Sequence, residues 1–143
     1  MRLAAVWVPD WPVLAAMAAA EIAANEPTAL YDNRRITAVS AAARAQGVRR
    51  GMRRRQAQAC CPELQLLTVD EGRDVRAFEP VIVAVEQVVS GVEVVRPGLI
   101  LLPVAGAARY HGGEAVLVEL LVNQVTRTTG YEVQAGIADG TLA

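Results

Sequence analysis

Carboxylates are the side chains of this sequence that could do chemistry. Metal-assisted phosphoryl transfer needs two or three acids converging at strand ends, because two divalent cations a few ångströms apart repel each other unless carboxylates offset their charge. Asp10 follows the first apolar stretch, residues 2–8, after Pro9, and is one candidate. The same position precedes an Ala-rich segment, where an aspartate typically caps a helix. The helix cap is the simpler interpretation of Asp10.

The other reactive residue types argue against nucleophilic catalysis and against a structural metal site. The single histidine, His111, lies in the Gly-rich stretch YHGGE, which predicts a turn, and no Cys or Ser has a spacing that suggests a partner for it. Cys60 and Cys61 are adjacent. That spacing is awkward for a disulfide, and two cysteines are too few ligands for zinc. We interpret both as small buried residues.

The basic residues are unevenly distributed, although the net charge is −1, and all 14 of them are arginine. No acid occurs between Asp32 and Glu63, and this segment contains eight arginines: Arg34, Arg35, Arg44, Arg49, Arg50, Arg53, Arg54 and Arg55. The rest of the chain has 6 arginines against 15 acids. The segment indicates a surface for phosphate or another anion, with a solvated basic loop as the alternative. It contains no aromatic residue that could stack a base.

The composition predicts a folded chain with one core. Of the 143 residues, 53% are hydrophobic and 20% are charged. No apolar run approaches the roughly 18 to 20 residues that a membrane helix needs, and Asp10 and two prolines interrupt the start, where a signal peptide would be apolar. We therefore expect a cytoplasmic protein.

The elements that would position these residues indicate an α+β fold. Residues 2–8 predict a strand, about 11–24 a helix, and TALY and ITAVS a hairpin around the turn DNRR. Two short helices, the first capped by Ser40, lead to the strand LQLLTV. A long amphipathic helix follows from Asp70, then two strands around Pro97 and Gly98, a helix through Leu117 and Val125, and a final strand, YEVQAGIA. The expected layout is one sheet with two long helices on one face.

Three motifs in this order resemble signatures of the Y-family, or translesion, DNA polymerases. AVSAAARAQGVRRGM resembles the family's fingers segment, usually S-Y-x-A-R-x-x-G-V-x-x-G-M. VEVVRPGLILLPVAG resembles the palm hairpin, usually S-x-D-E-x-x-L-D-V, and GYEVQAGIADGTLA resembles the strand G-I-A-x-N-K. The resemblance implies a palm with a mixed or antiparallel sheet, at residues 1–12 and 70–143, and a small inserted fingers subdomain at 13–69. It also implies that the thumb and C-terminal regions are absent from this chain.

The departures from the family pattern fall on the positions that the resemblance assigns to catalysis. The family's opening D-x-D-x-F is V-P-D-W-P here, so Val8 replaces a metal ligand, and the retained Asp10 matches the second Asp, which is not the principal ligand. Gly98 and Leu99 replace the two carboxylates of the hairpin. We expect Val8, Gly98 and Leu99 to lie close together around a turn, with an apolar surface near water.

Two further departures concern the incoming nucleotide. The triphosphate-binding Tyr of the family corresponds to Ala41, although its partner arginine is retained as Arg44. The aromatic residue that selects the sugar corresponds to Val13.

The resemblance therefore implies a catalytically inactive homologue of the ImuB type, with no enzyme activity, no metal and no cofactor. Its implied role is a scaffold in a bacterial mutagenesis complex, bridging a RecA-like partner subunit, an error-prone replicative-type polymerase and the sliding clamp, the last two through regions outside this chain. The candidate phosphate contacts are Arg44, Arg49, Arg50, Arg53, Arg54 and Arg55. Arg53 to Arg55 on one helix would spread over about 200°, so we expect them not to follow one phosphate track.

Two other functions remain as alternatives. An active polymerase would need substitute ligands such as Asp10 and Glu93, but Glu93 precedes Gly98 by five residues, about 16 Å in an extended strand. A small α+β module that binds anions or RNA would share only the fingers pattern. We expect weak, sequence-independent DNA binding by the arginines in the scaffold.

Overall fold

The computed structural model describes residues 1–140. In chain order its elements are β1 Arg2–Trp7, α1 Trp11–Ala19, β2 Thr28–Asp32, β3 Arg35–Val39, α2 Ala41–Ala45, α3 Arg54–Cys60, β4 Gln65–Thr68, α4 Glu71–Glu86, β5 Glu93–Arg96, β6 Leu99–Pro103, α5 Ala105–His111, α6 Glu114–Thr129 and β7 Gln134–Asp139. They form two compact units, residues 1–9 with 78–143 and residues 10–77. The last three residues of the third motif, 141–143, lie outside the described residues.

The first unit contains a four-stranded sheet in the order β5-β6-β1-β7, with every pair antiparallel. Side chains alternate along β1, because successive residues of a strand point to opposite faces. Ala4 and Val6 are buried, whereas Leu3, Ala5 and Trp7 are partly exposed. The buried row faces the helices, since α6 packs against β1 and β7 through a stripe of buried residues at Leu117, Leu121 and Val125.

The second unit contains a three-stranded sheet in the order β3-β2-β4. The hairpin of β2 and β3 is antiparallel and has an irregularity between Leu30 and Tyr31, and β4 pairs with β2 in parallel. Its core holds Ala29, Ile36, Val39, Ala43, Val48, Ala57 and Cys61. The sheet is small, and short helices and turns complete this core.

The α+β fold is confirmed, but the prediction of one core and one sheet is wrong. The hairpin and LQLLTV form a separate sheet, because β4 pairs with β2 rather than with a strand of the first unit. A residue pattern indicates that a segment is a strand, but it does not say which strand is its partner. The cap at Ser40 is confirmed, since its hydroxyl accepts a hydrogen bond from the Ala43 amide at 3.2 Å.

Helix α1 ends at Ala19 rather than near residue 24. Glu21 adopts a left-handed conformation with φ of 56°, the Ile22 amide donates to the Met17 carbonyl at 2.9 Å, and the Glu21 amide donates to Ala18. This is a Schellman motif, which normally uses glycine. The sequence offers no glycine there to signal the end.

Three smaller expectations are also corrected. His111 is the last residue of α5 and not part of a turn, and its Nε2 lies 2.9 Å from the Val88 carbonyl. Cys61 is buried as predicted but Cys60 is exposed, because adjacent residues at the end of α3 face different sides. The last strand begins at Gln134, three residues later than the pattern indicates. Within residues 1–140, no helix is both long enough and apolar enough to cross a membrane.

Candidate functional site

The turn between β5 and β6 meets the end of β1 in the first unit. The Val8 amide donates a hydrogen bond to the Gly98 carbonyl at 2.9 Å, and Trp7 lies opposite Leu99 in the strand register. Gly98 has a φ of 101°, which only glycine adopts readily, and Pro97 precedes it. Proline followed by a residue of positive φ is typical of a type II turn. The expected proximity of Val8, Gly98 and Leu99 is confirmed.

The surroundings of these three positions differ from the expected open surface. Val8 is 3% exposed and continues the buried row of Ala4 and Val6. Gly98 is also buried, whereas Leu99 is partly exposed in the same row as Trp7. The expectation that all three remain near water is therefore wrong, because the hydrogen bond to Gly98 draws Val8 into the core. The side chains of Val8, Gly98 and Leu99 contain no oxygen, nitrogen or sulfur atom, so none of them can ligate a metal ion.

Glu93 lies nearer to this turn than an extended chain predicts. The β5–β6 hairpin folds back, so that Glu93 pairs with Leu101, only three residues beyond Gly98, or roughly 10 Å along the strand. The distance of about 16 Å between Glu93 and Gly98, which assumes one extended strand, is therefore too long. Glu93 is exposed at the edge strand β5. Residues 1–140 contain no group of three or more His, Cys, Asp or Glu side chains arranged to hold a metal ion.

In the second unit, Asp10 and Arg44 form an ion pair. Arg44 Nη2 lies 2.9 Å from Asp10 Oδ2, and Arg44 Nη1 also donates to Oδ1 at 3.4 Å. The hydrogen bonds to the carboxylate, and then its charge, raise the pKa of Arg44. Asp10 occupies the N-cap position of α1, but its side chain makes no capping hydrogen bond, and its φ of 58° is left-handed. The prediction of a side-chain cap is wrong, because the carboxylate binds Arg44 instead.

The two positions that the sequence associates with the nucleotide have different surroundings. Val13 is fully buried in α1. Ala41 is exposed at the first turn of α2. Neither offers an aromatic ring.

Four arginines of the second unit line one concave surface, which we call the arginine cleft. It has a volume of about 650 Å³, and its lining residues are Arg34, Arg53, Arg54, Arg55 and Gln58. Arg53 is the N-cap of α3 and has extended backbone, with φ of −73° and ψ of 152°. The expectation that Arg53 to Arg55 spread around one helix is therefore wrong, since only two of them lie in the helix. All three face the same cleft.

The remaining arginine candidates do not line this cleft. Arg49 uses its guanidinium to donate to the carbonyls of Arg44 and Val48, at 2.8 and 3.0 Å. Arg50 is exposed, and Arg44 is paired with Asp10. The structure thus divides the six candidates into a cleft group, Arg53 to Arg55, and three residues outside it.

The candidate phosphate contacts predicted from the sequence omit three residues of this surface. Arg34 and Gln58 line the cleft, and the Arg54 guanidinium lies 4.1 Å from the centre of the Tyr31 ring. The expectation that no aromatic residue accompanies the arginines is wrong, because Tyr31 lies just before the acid-free segment and β2 brings it beneath α3. Arg34 belongs to the predicted turn DNRR. Only the structure, through the β-bridge between Arg35 and Arg53, shows that this turn lies beside Arg53 to Arg55.

Comparison with known proteins identifies the family. A model of the impB/mucB/samB family matches residues 12–143. The chain belongs to this family. No curated protein matches it.

Two solved structures have the fold of this impB/mucB/samB family member. Dbh, in a ternary complex with partially disordered substrates, superposes with a TM-score of 0.80 at 14% sequence identity. DinB from Sulfolobus solfataricus superposes with a TM-score of 0.79 at 15% identity. Each comparison covers 99% of this chain but 43% of the other. The domain is thus Y-family polymerase-like, and its fold matches the palm of that family, as the sequence predicts.

Proposed function

We propose that this chain is the palm and fingers portion of a catalytically inactive, ImuB-type member of the family. Its role is that of a cytoplasmic scaffold in a bacterial complex for DNA-damage-induced mutagenesis. The observation that carries the proposal is the junction of Val8 with Gly98 and Leu99, because apolar residues stand where the resemblance assigns three metal-binding carboxylates. The fold supports the resemblance from which that assignment comes.

The electrostatic argument concerns the charge that a polymerase must hold. Phosphoryl transfer between a triphosphate and a primer end proceeds with metal ions that bridge the phosphates and stabilise the developing charge. Such stabilisation is usually the largest catalytic contribution. The buried side chains of Val8 and Gly98 supply no metal ligand. Their burial also keeps out water, which could partly replace a carboxylate ligand. Asp10 is paired with Arg44, and residues 1–140 contain no group of three or more His, Cys, Asp or Glu side chains that could replace these carboxylates.

The partners follow from the same resemblance. A RecA-like subunit would bind the portion of the protein described here, and an error-prone replicative-type polymerase and the sliding clamp would bind regions outside it. DNA would contact the arginines of residues 34–55 weakly and without base recognition, through its phosphates.

Primer extension tests the loss of catalysis. Because the chain spans 43% of the length of the two solved structures, we would assay both this chain and the longest natural protein that contains it, with Mg²⁺ and with Mn²⁺. We expect no template-dependent incorporation from either. Incorporation by the pure longer protein, abolished by Asp10→Ala, would overturn the proposal and favour the active polymerase.

Co-purification tests the scaffold role separately. We expect a RecA-like subunit from the same organism to co-purify with the longer protein, and with this chain, in the absence of DNA. If neither the longer protein nor this chain associates with the RecA-like subunit, the scaffold role is contradicted, whatever the result of the extension assay.

A further inference from the structure

A cavity of the first unit lies between helix α5 and the segment that follows α4, and we call it the α5 cavity. It has a volume of about 420 Å³, and its walls are residues 88–90, Pro103 and residues 105–107 with Tyr110 and His111. Neither an acid nor an arginine is among them. The walls are therefore mostly apolar, with the Ser90 hydroxyl and the His111 ring as polar groups. Such a composition is typical of sites that bind an apolar group and orient it by a few polar contacts.

Contacts of α5 hold the cavity in shape. His111 Nε2 lies 2.9 Å from the Val88 carbonyl, which joins the end of α5 to the segment after α4. The rings of Tyr110 and His111 meet edge to face, with centroids 4.9 Å apart. This contact restricts the Tyr110 ring, although the residue is 85% exposed. The walls thus exist before a ligand binds, which lowers the entropic cost of binding.

One exposed face of α5 continues from the cavity. Ala105, Gly106, Arg109 and Tyr110 are all exposed, and their spacing of three and four residues makes them neighbours on the helix surface. Three of the four line the cavity, and Arg109 lies beside them. Arg109 takes part in none of the ion pairs found within residues 1–140. Tyrosine and arginine are among the residues that contribute most to binding at protein interfaces.

Gly106 leaves space on this face that the fold does not need. Glycine weakens a helix relative to alanine. A Cβ added at Gly106 would have no neighbour within 4 Å, apart from the adjacent residues and the backbone of α5. Gly106 is also not among the glycines of positive φ. Packing and backbone geometry therefore do not require glycine here, and its effect is to let another molecule come close to the helix.

We propose that the α5 cavity binds a short segment of another protein that carries a bulky apolar side chain beside an acidic one. The apolar side chain enters the cavity against Gly106 and Tyr110, and the acid pairs with Arg109. The inference goes beyond the proposed function, because it neither requires the partner to be a RecA-like subunit nor depends on the loss of catalysis.

The charge and the shape of this surface favour a protein segment over other ligands. The first unit contains four arginines against seven acids, so its net charge disfavours a nucleic acid. The cavity is open along the exposed Tyr110, so a small molecule would remain largely in water, whereas small-molecule sites bury most of their ligand. A peptide can place one side chain in the cavity and lie along α5 with the rest.

Peptide selection on this 143-residue chain tests the proposal. Phage that display random dodecapeptides are selected on the immobilised chain, after depletion on the Gly106→Leu variant, whose added side chain fills the cavity. We expect the enriched peptides to carry Leu, Phe or Trp close to Asp or Glu. Enrichment of basic peptides, or no enrichment at all, would overturn the inference. A fluorescein-labelled synthetic form of the most enriched peptide then serves as the probe for fluorescence anisotropy.

Substitutions in the chain locate the bound peptide, and each has a matched control. Tyr110→Ala should weaken binding about thirtyfold, the loss typical of a dominant interface residue. Arg109→Glu should weaken it about tenfold or more, because it opposes the acid of the peptide with a like charge. Val116→Ala and Arg96→Glu, at exposed positions of the same unit outside the cavity, should have less than about a twofold effect. Circular dichroism and thermal melting would show that each variant is folded, which the exposure of these residues favours.

Three further results would overturn the inference. Equal losses in the cavity variants and their controls would show that the peptide binds elsewhere. Undiminished binding by Gly106→Leu would show that the cavity is not used, and displacement of the peptide by an equal concentration of oligothymidylate would indicate a nucleic-acid surface. None of these results depends on primer extension or on association with a RecA-like subunit, so failure of the inference is distinguishable from failure of the proposed function.

Discussion

The Val8 amide and the Gly98 carbonyl share a hydrogen bond of 2.9 Å, which joins the end of β1 to the turn between β5 and β6. The two residues are 90 positions apart in the sequence. The bond keeps Val8 among buried neighbours at 3% exposure, and the positive φ of Gly98 leaves no room for an unstrained side chain in its place. Local packing therefore favours the apolar residues found at these two positions.

Replacing Val8 by Asp should destabilise the chain in a pH-dependent manner. A carboxylate at this position, where Val8 is 3% exposed, loses its hydration on folding, so we expect a loss on the order of 3 kcal/mol at pH 8, measured by urea denaturation. Burial raises the folded pKa of the introduced carboxyl above its unfolded value. The loss should therefore shrink as the pH falls through that raised pKa toward about 4.

Val8→Asn is the matched control, because it has nearly the same shape and does not ionise. Its destabilisation should be almost constant over the same pH range. A Val8→Asp variant as stable as the natural chain at pH 8 would show that this position is open to water and could hold a metal ligand.

Restoring the three acids together should not restore polymerase activity. Val8→Asp, Gly98→Asp and Leu99→Glu would place carboxylates at the junction, but Ala41 and the buried Val13 still leave the triphosphate and the sugar without the family's aromatic contacts. Gly98→Asp adds strain of about 1 kcal/mol or more at a left-handed φ. Primer extension by the triple variant, with an active Y-family polymerase as positive control, is expected to remain at background. Extension above background would contradict this.

Substitutions at Asp10 should separate its backbone role from its ion pair. Asp10→Asn keeps a side chain that tolerates the left-handed φ of 58° and removes the charge that faces Arg44. The pair is partly exposed to solvent, so its loss should cost about 0.5 to 1 kcal/mol. Asp10→Ala should cost roughly 1 kcal/mol more, because alanine is strained at that φ. Chemical denaturation of both variants in low and high salt checks this, and equal stability of the two would refute the backbone contribution.

Asp74 should make the chain more stable as the medium becomes mildly acidic. This carboxyl is 7% exposed in the first turn of α4, and burial raises its pKa although the Arg73 guanidinium opposes the rise. The folded state therefore binds the proton more tightly than the unfolded state, and the Asp74 contribution to stability grows as pH falls from above the raised pKa to about 3.9. Asp74→Asn should be more stable than the natural chain at neutral pH, with the difference vanishing below that value.

Glu114→Gln provides a comparison of opposite sign. Hydrogen bonds from Arg2, at 2.7 and 2.6 Å, lower the pKa of Glu114. Its favourable contribution is present above the unfolded pKa and is lost as pH falls through the folded one, so the Gln variant should be less stable at neutral pH. Thermal melting between pH 3 and pH 8 compares the two variants. A difference of the same sign in both would contradict the assigned causes.

The sequence by itself predicted most of the helices and strands. It also showed that Val8, Gly98 and Leu99, at positions where the resemblance implies metal ligands, carry no carboxylate. The alternation around Ala4 and Val6, the spacing of Leu117, Leu121 and Val125, and the Ser40 cap all act over a few residues, so a linear pattern predicts them. The proximity of Val8 to Gly98 was predictable for another reason. The motifs resemble those of a family in which these segments meet.

Only the tertiary structure decided how the segments are partnered. Strand β4 pairs with β2 in a second sheet, Asp10 binds Arg44 instead of capping α1, and Arg34 meets Arg53 to Arg55 over Tyr31. Each of these contacts joins residues that are far apart in sequence. The energy of such a contact depends on the distance between the residues in space, which a linear pattern does not contain. The pattern of residues specifies which face of an element is apolar or charged, whereas the packing of the whole chain selects the face that it meets.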